Sequence, residues 1–177
     1  MKRFLLAVPL ALALLGAAAP NASAQLDIYV RVYGIEGSSQ DAKHPNWIEG
    51  LSLRQTLGPN REVRNGCAVE IVKELDAAGP QLWAAAVRGD LIRDVRIELV
   101  RKGHNGPKVY EIWLRFVRIP SISTEADSAF VERVIFQGEL VELTYWPLGP
   151  AGTPGAPVRT QWDCSGELPG PGLPESR

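Results

Sequence analysis

The side chains best equipped for chemistry in this 177-residue chain are two histidines, two cysteines, five tryptophans and a scatter of carboxylates. His44 and His104 stand far apart, and Cys67 and Cys164 cannot form a CxxC pair. A zinc centre needs three or four ligands at helical or knuckle spacing, and this set does not supply one. No GxSxG elbow, phosphate loop or GxGxxG turn occurs. Glu36 with Asp41, and Glu139 with Glu142, are the acidic pairs to weigh for glycosidase chemistry, which needs two carboxylates across a sugar-binding cleft. Glutamates that alternate along a strand read instead as a solvated face. Trp47, Trp113, Trp146 and Trp162 could line a binding surface, but core packing or a subunit contact is the default for tryptophan in a domain of this size. The expectation is therefore no catalytic residue, no cofactor and no metal.

The elements that would position these groups are mostly strands. Leu26, Ile28, Val30 and Val32 alternate with Asp27, Tyr29, Arg31 and Tyr33, a period of two that puts the aliphatics on one face. Gly34 ends this run, Gly37-Ser38-Ser39 and Asp41 make a polar lip, and a second apolar run opens at Trp47-Ile48. Residues 55–66 (QTLGPNREVRNG) read as an exposed loop, and Cys67 to Asp76 as a third strand. Gly79-Pro80 opens a short helix ended by Gly89, with Pro80 where its missing N–H is tolerated; Trp83 is expected to pack it on the barrel wall. Val95, Ile97 and Leu99 alternate with Arg96 and Glu98, and 103–107 is a turn cluster. From Lys108 to Ile119, Tyr110, Ile112, Leu114 and Phe116 should face one way and Glu111, Trp113 and Arg115 the other. Pro120 to Ser128 reads as a loop, Phe130 to Trp146 as a long strand with a bulge or sharp bend at Gly138, and Val158 to Asp163 as a last short strand. The fold class is mainly β: a single compact β-barrel or tight two-sheet sandwich with one short α-helix.

Lys2 and Arg3 precede an apolar run from Phe4 to Ala19, and Ala22-Ser23-Ala24 offers small residues at a cleavage point. This is the layout of a secretory signal peptide over 1–24, cut between Ala24 and Gln25. The run falls short of the roughly 20 residues that span a bilayer, so no membrane span is expected after its removal. Met1 is the only methionine, so an internal start near Leu26 would need a non-standard codon. Residues 25–164 form the domain, and 165–177 (SGELPGPGLPESR) should be disordered. Removing Lys2 and Arg3 leaves 17 basic against 20 acidic residues, a net charge of −3. No basic block or aromatic–basic alternation appears, which argues against nucleic-acid partners. In an exported chain an even cysteine count points to a Cys67–Cys164 bridge, which could contribute on the order of 4–5 kcal/mol in the chain-entropy model. Two buried free thiols are the alternative.

Several of these segments resemble, in collinear order, the Hcp family, the haemolysin-coregulated tube proteins of type VI secretion. They are Asp27-Ile28-Tyr29-Val30, Gly34-Ile35-Glu36-Gly37-Ser38 with Asp41, His44 and Ile48-Glu49, then Val69 to Asp76, Pro80-Gln81-Leu82, Val95 to Leu99, Tyr110 to Leu114, Glu132 to Phe136, and Gln161-Trp162-Asp163. Ser38 departs from the family, which usually carries a Glu after this glycine. The resemblance implies a barrel that joins copies of itself into a homohexameric ring, with rings stacking into a hollow tube for effector delivery. It implies spike, sheath and effector proteins as further partners. Loops 34–46 and 55–66 are natural contact regions, with Arg61, Glu62 and Arg64 as candidate stacking residues. Tube proteins of this family are assembled in the cytoplasm and normally lack a signal, whereas the leader sends this chain to the periplasm or outside. The alternative function is thus an exported solitary barrel that binds a ligand or partner.

Overall fold

The computed structural model describes residues 26–56, 67–103, 106–126, 130–150 and 152–164. The leader, its Ala24–Gln25 cleavage point, Arg61, Glu62, Arg64, His104 and the C-terminal tail lie outside the described residues. Seven strands and one helix follow one another as β1 (Leu26–Val32), β2 (Ile48–Thr56), β3 (Ala68–Glu74), α1 (Gly79–Arg88), β4 (Ile92–Arg101), β5 (Lys108–Ala126), β6 (Phe130–Tyr145) and β7 (Val158–Asp163). Neighbours run in the order β3-β2-β1-β4-β5-β6-β7, and a further β3–β6 pairing closes six of them into a barrel. All pairings are antiparallel. Of the two architectures expected, the closed barrel is the one formed.

Alternation builds the interior as anticipated on β1 and β3, where Val30, Val32, Val69 and Ile71 are buried. On β4, β5 and β6 the alternation changes phase at one level. The inward residues pass from Ile92 to Val95, from Leu114 to Val117 and from Gly138 to Val141, a spacing of three in place of two. The ladders keep their register across this level, pairing Val95 with Leu114 with Val141 on one side and Ile92 with Val117 with Gly138 on the other. The three strands therefore crease together. In β5 the crease is made by Phe116, whose φ of 54° is in the left-handed region. Phe116 is consequently 44% exposed, so it does not share the inward face of Ile112 and Leu114 as its position in the alternation predicts. Gly138 lies at the crease on β6, where an added Cβ would come within 3.1 Å of the Leu114 Cβ.

The segment after Pro120 is also corrected. It is not a loop, because β5 continues to Ala126, with Ser121 to Ala126 pairing Ile135 back to Phe130. The ladder shifts register between Arg118 and Ser121, so Pro120, which has no N–H to donate, sits where the ladder is already interrupted. The helix ends as its sequence requires. Gly89 is left-handed at φ 67°, and the N–H groups of Gly89 and Asp90 donate to the Ala86 and Ala85 carbonyls. Leu82 and Ala85 dock it, while Trp83 stays 38% exposed.

The crease makes a specific prediction. Left-handed backbone costs a non-glycine residue about 1–2 kcal/mol, so in Phe116→Gly the relief should offset much of the lost packing of a half-exposed ring. Leu114→Ala, one turn of the ladder away and fully buried, should cost about 2–5 kcal/mol. Urea midpoints of the two variants check this; equal losses would contradict the crease.

Candidate functional site

Three polar clusters fasten outer features to the barrel. The first holds the lip. Gly37 and Ser39 donate backbone N–H groups to the Asn46 and Trp47 carbonyls, and Asn46 donates back to Ser39. This zips residues 37–39 against 46–47 so tightly that a Cβ on Gly37 would fall 2.4 Å from the Trp47 oxygen. His44, 4% exposed, lies under the zip with its ring stacked on Tyr29 at 4.0 Å and edge-on to Trp47 at 4.9 Å. Its Nδ1 is 2.7 Å from Asp41 Oδ1 and its Nε2 is 3.1 Å from Glu98 Oε2 on β4. Lys108 of β5 donates to Glu98 at 3.1 Å and also to Glu111. Ser38 Oγ accepts the Ala77 N–H at 3.1 Å and so ties the lip to the turn before α1.

The second cluster lies beside the helix. Lys73, 1% exposed, donates to Glu132 Oε2 at 2.6 Å and to the Glu74 carbonyl at 2.7 Å, and lies 2.8 Å from Asp76 Oδ1. Trp83 Nε1 donates to the other Glu132 oxygen at 3.1 Å, which is why its ring stays at the helix margin. A buried pair of this kind is costly to break, because removing one partner strands the other charge, typically at about 3–5 kcal/mol. In the third cluster Asp94 accepts from Arg31 at 3.0 Å and from Arg93 at 2.7 Å, and Arg93 stacks on Tyr33 at 3.6 Å. Two open clefts, of about 480 and about 510 Å³, share Tyr33, Gly34, Ile35 and Gln81. Of the arginines that line them, Arg31 and Arg93 are engaged by Asp94 and Arg88 by Asp90.

The residues weighed for chemistry are dispersed by this arrangement. Asp41 serves His44 and does not pair with exposed Glu36. Glu142 meets Arg159 at 3.2 Å while Glu139 is exposed. The Arg96 and Arg115 guanidinium groups lie 5.0 and 5.1 Å from the Trp113 ring centre, and Lys108 lies 4.8 Å from that of Trp146. Cys67 and Cys164 are brought together, with Cα atoms 5.9 Å apart and Trp162 Nε1 donating to the Cys67 sulphur at 3.0 Å. Among the described residues no cluster of three or more His, Cys, Asp or Glu could hold a metal ion. Neither the Lys73–Glu132 pair nor the His44–Glu98 contact was anticipated. The first did leave a trace: Lys73 shares the parity of Val69 and Ile71, and Glu132 that of Val134 and Phe136. Opposite charges at two inward positions mark a buried pair.

The lip clasp has a pH signature. Hydrogen bonding to His44 holds the Asp41 carboxyl below its ordinary value. Burial pushes the Glu98 carboxyl up, and hydrogen bonds from His44 and Lys108 outweigh it, so that carboxyl is also held low. Groups held low in the folded state stabilise fully above their unfolded values of about 3.9 and 4.3, and that contribution is lost as pH falls through the folded values. Urea midpoints from pH 6 to pH 3 should therefore drop for the parent and drop less steeply for Glu98→Gln. Parallel curves would contradict the clasp.

The model of the family described as "Type VI secretion system effector, Hcp" matches residues 29–147. Hcp1 from Salmonella typhimurium has a similar solved structure, with a TM-score of 0.67 at 22% identity, covering 78% of this chain and 94% of that one. A type VI secretion system effector from Yersinia pestis gives a TM-score of 0.64 at 19% identity, covering 77% and 98%. The secreted protein Hcp3 from Pseudomonas aeruginosa gives 0.57 at 20% identity, covering 78% and 98%. No curated protein matches the chain. These structures share the barrel fold, and the family match runs from the middle of β1 to just past the end of β6; the chain belongs to the Hcp family of type VI secretion.

Proposed function

We propose that this chain is an exported tube subunit of a type VI secretion system, which assembles with copies of itself into six-membered rings that stack around a lumen. The observation that carries this reading is the reach of the family match: it spans 29–147, from the first strand of the barrel past the last strand that closes it. A head-to-tail contact repeated around a closed circle leaves a hollow centre, and the role is then geometric. In each acidic pair weighed for catalysis one carboxylate is held by a basic side chain, Asp41 by His44 and Glu142 by Arg159, which supports a role without bond-making chemistry. Spike, sheath and effector proteins are the partners such a tube would meet.

Export is part of the proposal. Cleavage between Ala24 and Gln25 would leave β1 whole, since that strand opens at Leu26. Among the described residues no helix is long and apolar enough to cross a membrane. An oxidising compartment favours a bond between Cys67 and Cys164, and their Cα separation of 5.9 Å lies within the range a disulfide requires.

Sedimentation of the chain beginning at Gln25 tests assembly. The expected particle has six times the protomer mass and lengthens with concentration. Reversing the charges at Arg61, Glu62 and Arg64 should keep the six-fold particle but stop its lengthening. A species that stays single-copy at every concentration overturns the ring, and lengthening that survives all three reversals overturns the role given to that loop.

A further inference from the structure

The outer edge of β6 serves two strands in turn. It pairs with β3 over residues 131–137 and with β7 over residues 140–145. At the change of partner the Gly138 N–H donates to the Cys67 carbonyl at 3.2 Å, and the Cys164 N–H donates to the Glu139 carbonyl at 2.7 Å. Cys67 immediately precedes β3 and Cys164 immediately follows β7. The two cysteines thus meet across the junction where one strand hands over the edge to the other.

Beyond its ladder with β6, β7 has few side-chain anchors among the described residues. Five of its six residues are exposed, and Trp162 is half-buried. Its ladder is made with β6 alone. Arg159 reaches Glu142 at 3.2 Å and Thr144 at 3.3 Å, contacts of a largely exposed side chain that contribute little. Trp162, its one packed residue, donates its N–H to the Cys67 sulphur, so even that anchor leans on the cysteine pair. The segment leading into β7 carries Pro147, Pro150, Pro154 and Pro157, none of which can donate to a ladder. The buried apolar residues of the barrel interior all lie outside β7, which adds only the half-buried Trp162 to their margin.

We infer that Cys67 and Cys164 form a redox-operated latch on the C-terminal strand. With the bond closed, β7 covers the Leu140–Tyr145 edge of β6. With the bond open, β7 leaves and uncovers that edge, while the β3–β6 pairing keeps the six-stranded barrel shut. Opening takes two electrons and two protons from a dithiol reductant; the S–S bond becomes two thiols and the reductant becomes its own disulfide. The uncovered edge is a row of unpaired backbone groups, the kind that accepts a strand from another chain. The inference rests on the bond proposed for the exported protein, and the two can fail separately.

The test uses the full mature chain recovered without reductant. Thiol titration comes first, and two free thiols there would remove the bond and the latch with it. Hydrogen exchange is then compared before and after dithiothreitol, and in the Cys67→Ser/Cys164→Ser double variant. Opening the latch should speed exchange at residues 158–163, and at the β7-facing amides of 140–145, by about tenfold or more. Amides at 95–99 and 110–114 should hold their protection. Unchanged exchange at 158–163 overturns the latch. Loss of protection at 95–99 together with 158–163 also overturns it, because the bond would then be a staple for the whole domain.

Discussion

A strand has two edges, and β6 must satisfy three neighbours. It gives one edge to β5 along its length and divides the other between β3 and β7. That division is what lets six strands close while the seventh rides outside. It also explains the residues that crowd the junction. Gly138 can approach Leu114 because it has no Cβ, and the shared crease through β4, β5 and β6 turns the sheet without breaking its register. An antiparallel sheet that closes on itself removes most of its exposed edge, and among the described residues the outer side of β7 is one of the edges that remain.

The outer surface is organised by charge more than by apolar contact. The lip is held over Tyr29 by His44 and two carboxylates, the helix margin by Glu132 and Lys73, and the β1–β4 corner by Asp94 between two arginines. Buried ions of this kind are weak evidence for stability but fix geometry, since only one arrangement satisfies every partner. A subunit that works by shape needs its projecting parts held in one position. The lip, the helix and the clefts around Tyr33 are held in that way, which fits a role in contacts between molecules.

Much of the fold was legible because alternation is a direct readout of burial. The apolar–polar period marked β1 and β4, and Pro80 with Gly89 bracketed α1. The misreadings share a cause: rules for single strands do not see neighbouring ones. Pro120 reads as a breaker in isolation, yet it falls at a register shift where no ladder bond is lost. Phe116 belongs to the inward series by count, but the crease it shares with β4 and β6 turns it out. An even cysteine count in an exported chain pointed to a bridge without fixing it, and the approach of Cys67 to Cys164 at the β3–β7 junction depends on topology. The partners of His44 were hidden because a turn has no period, and Glu98 lies far along the chain from the lip.

Membership of the Hcp family and the closed barrel support the proposed tube role, which requires copies of this chain to meet in rings. Electron microscopy of the mature chain at high concentration addresses that most directly. Averaged end-on views should show six-fold rings with an open centre, and side views should show those rings stacked. Isolated particles without rotational symmetry, at concentrations where the barrel is fully folded, would contradict it.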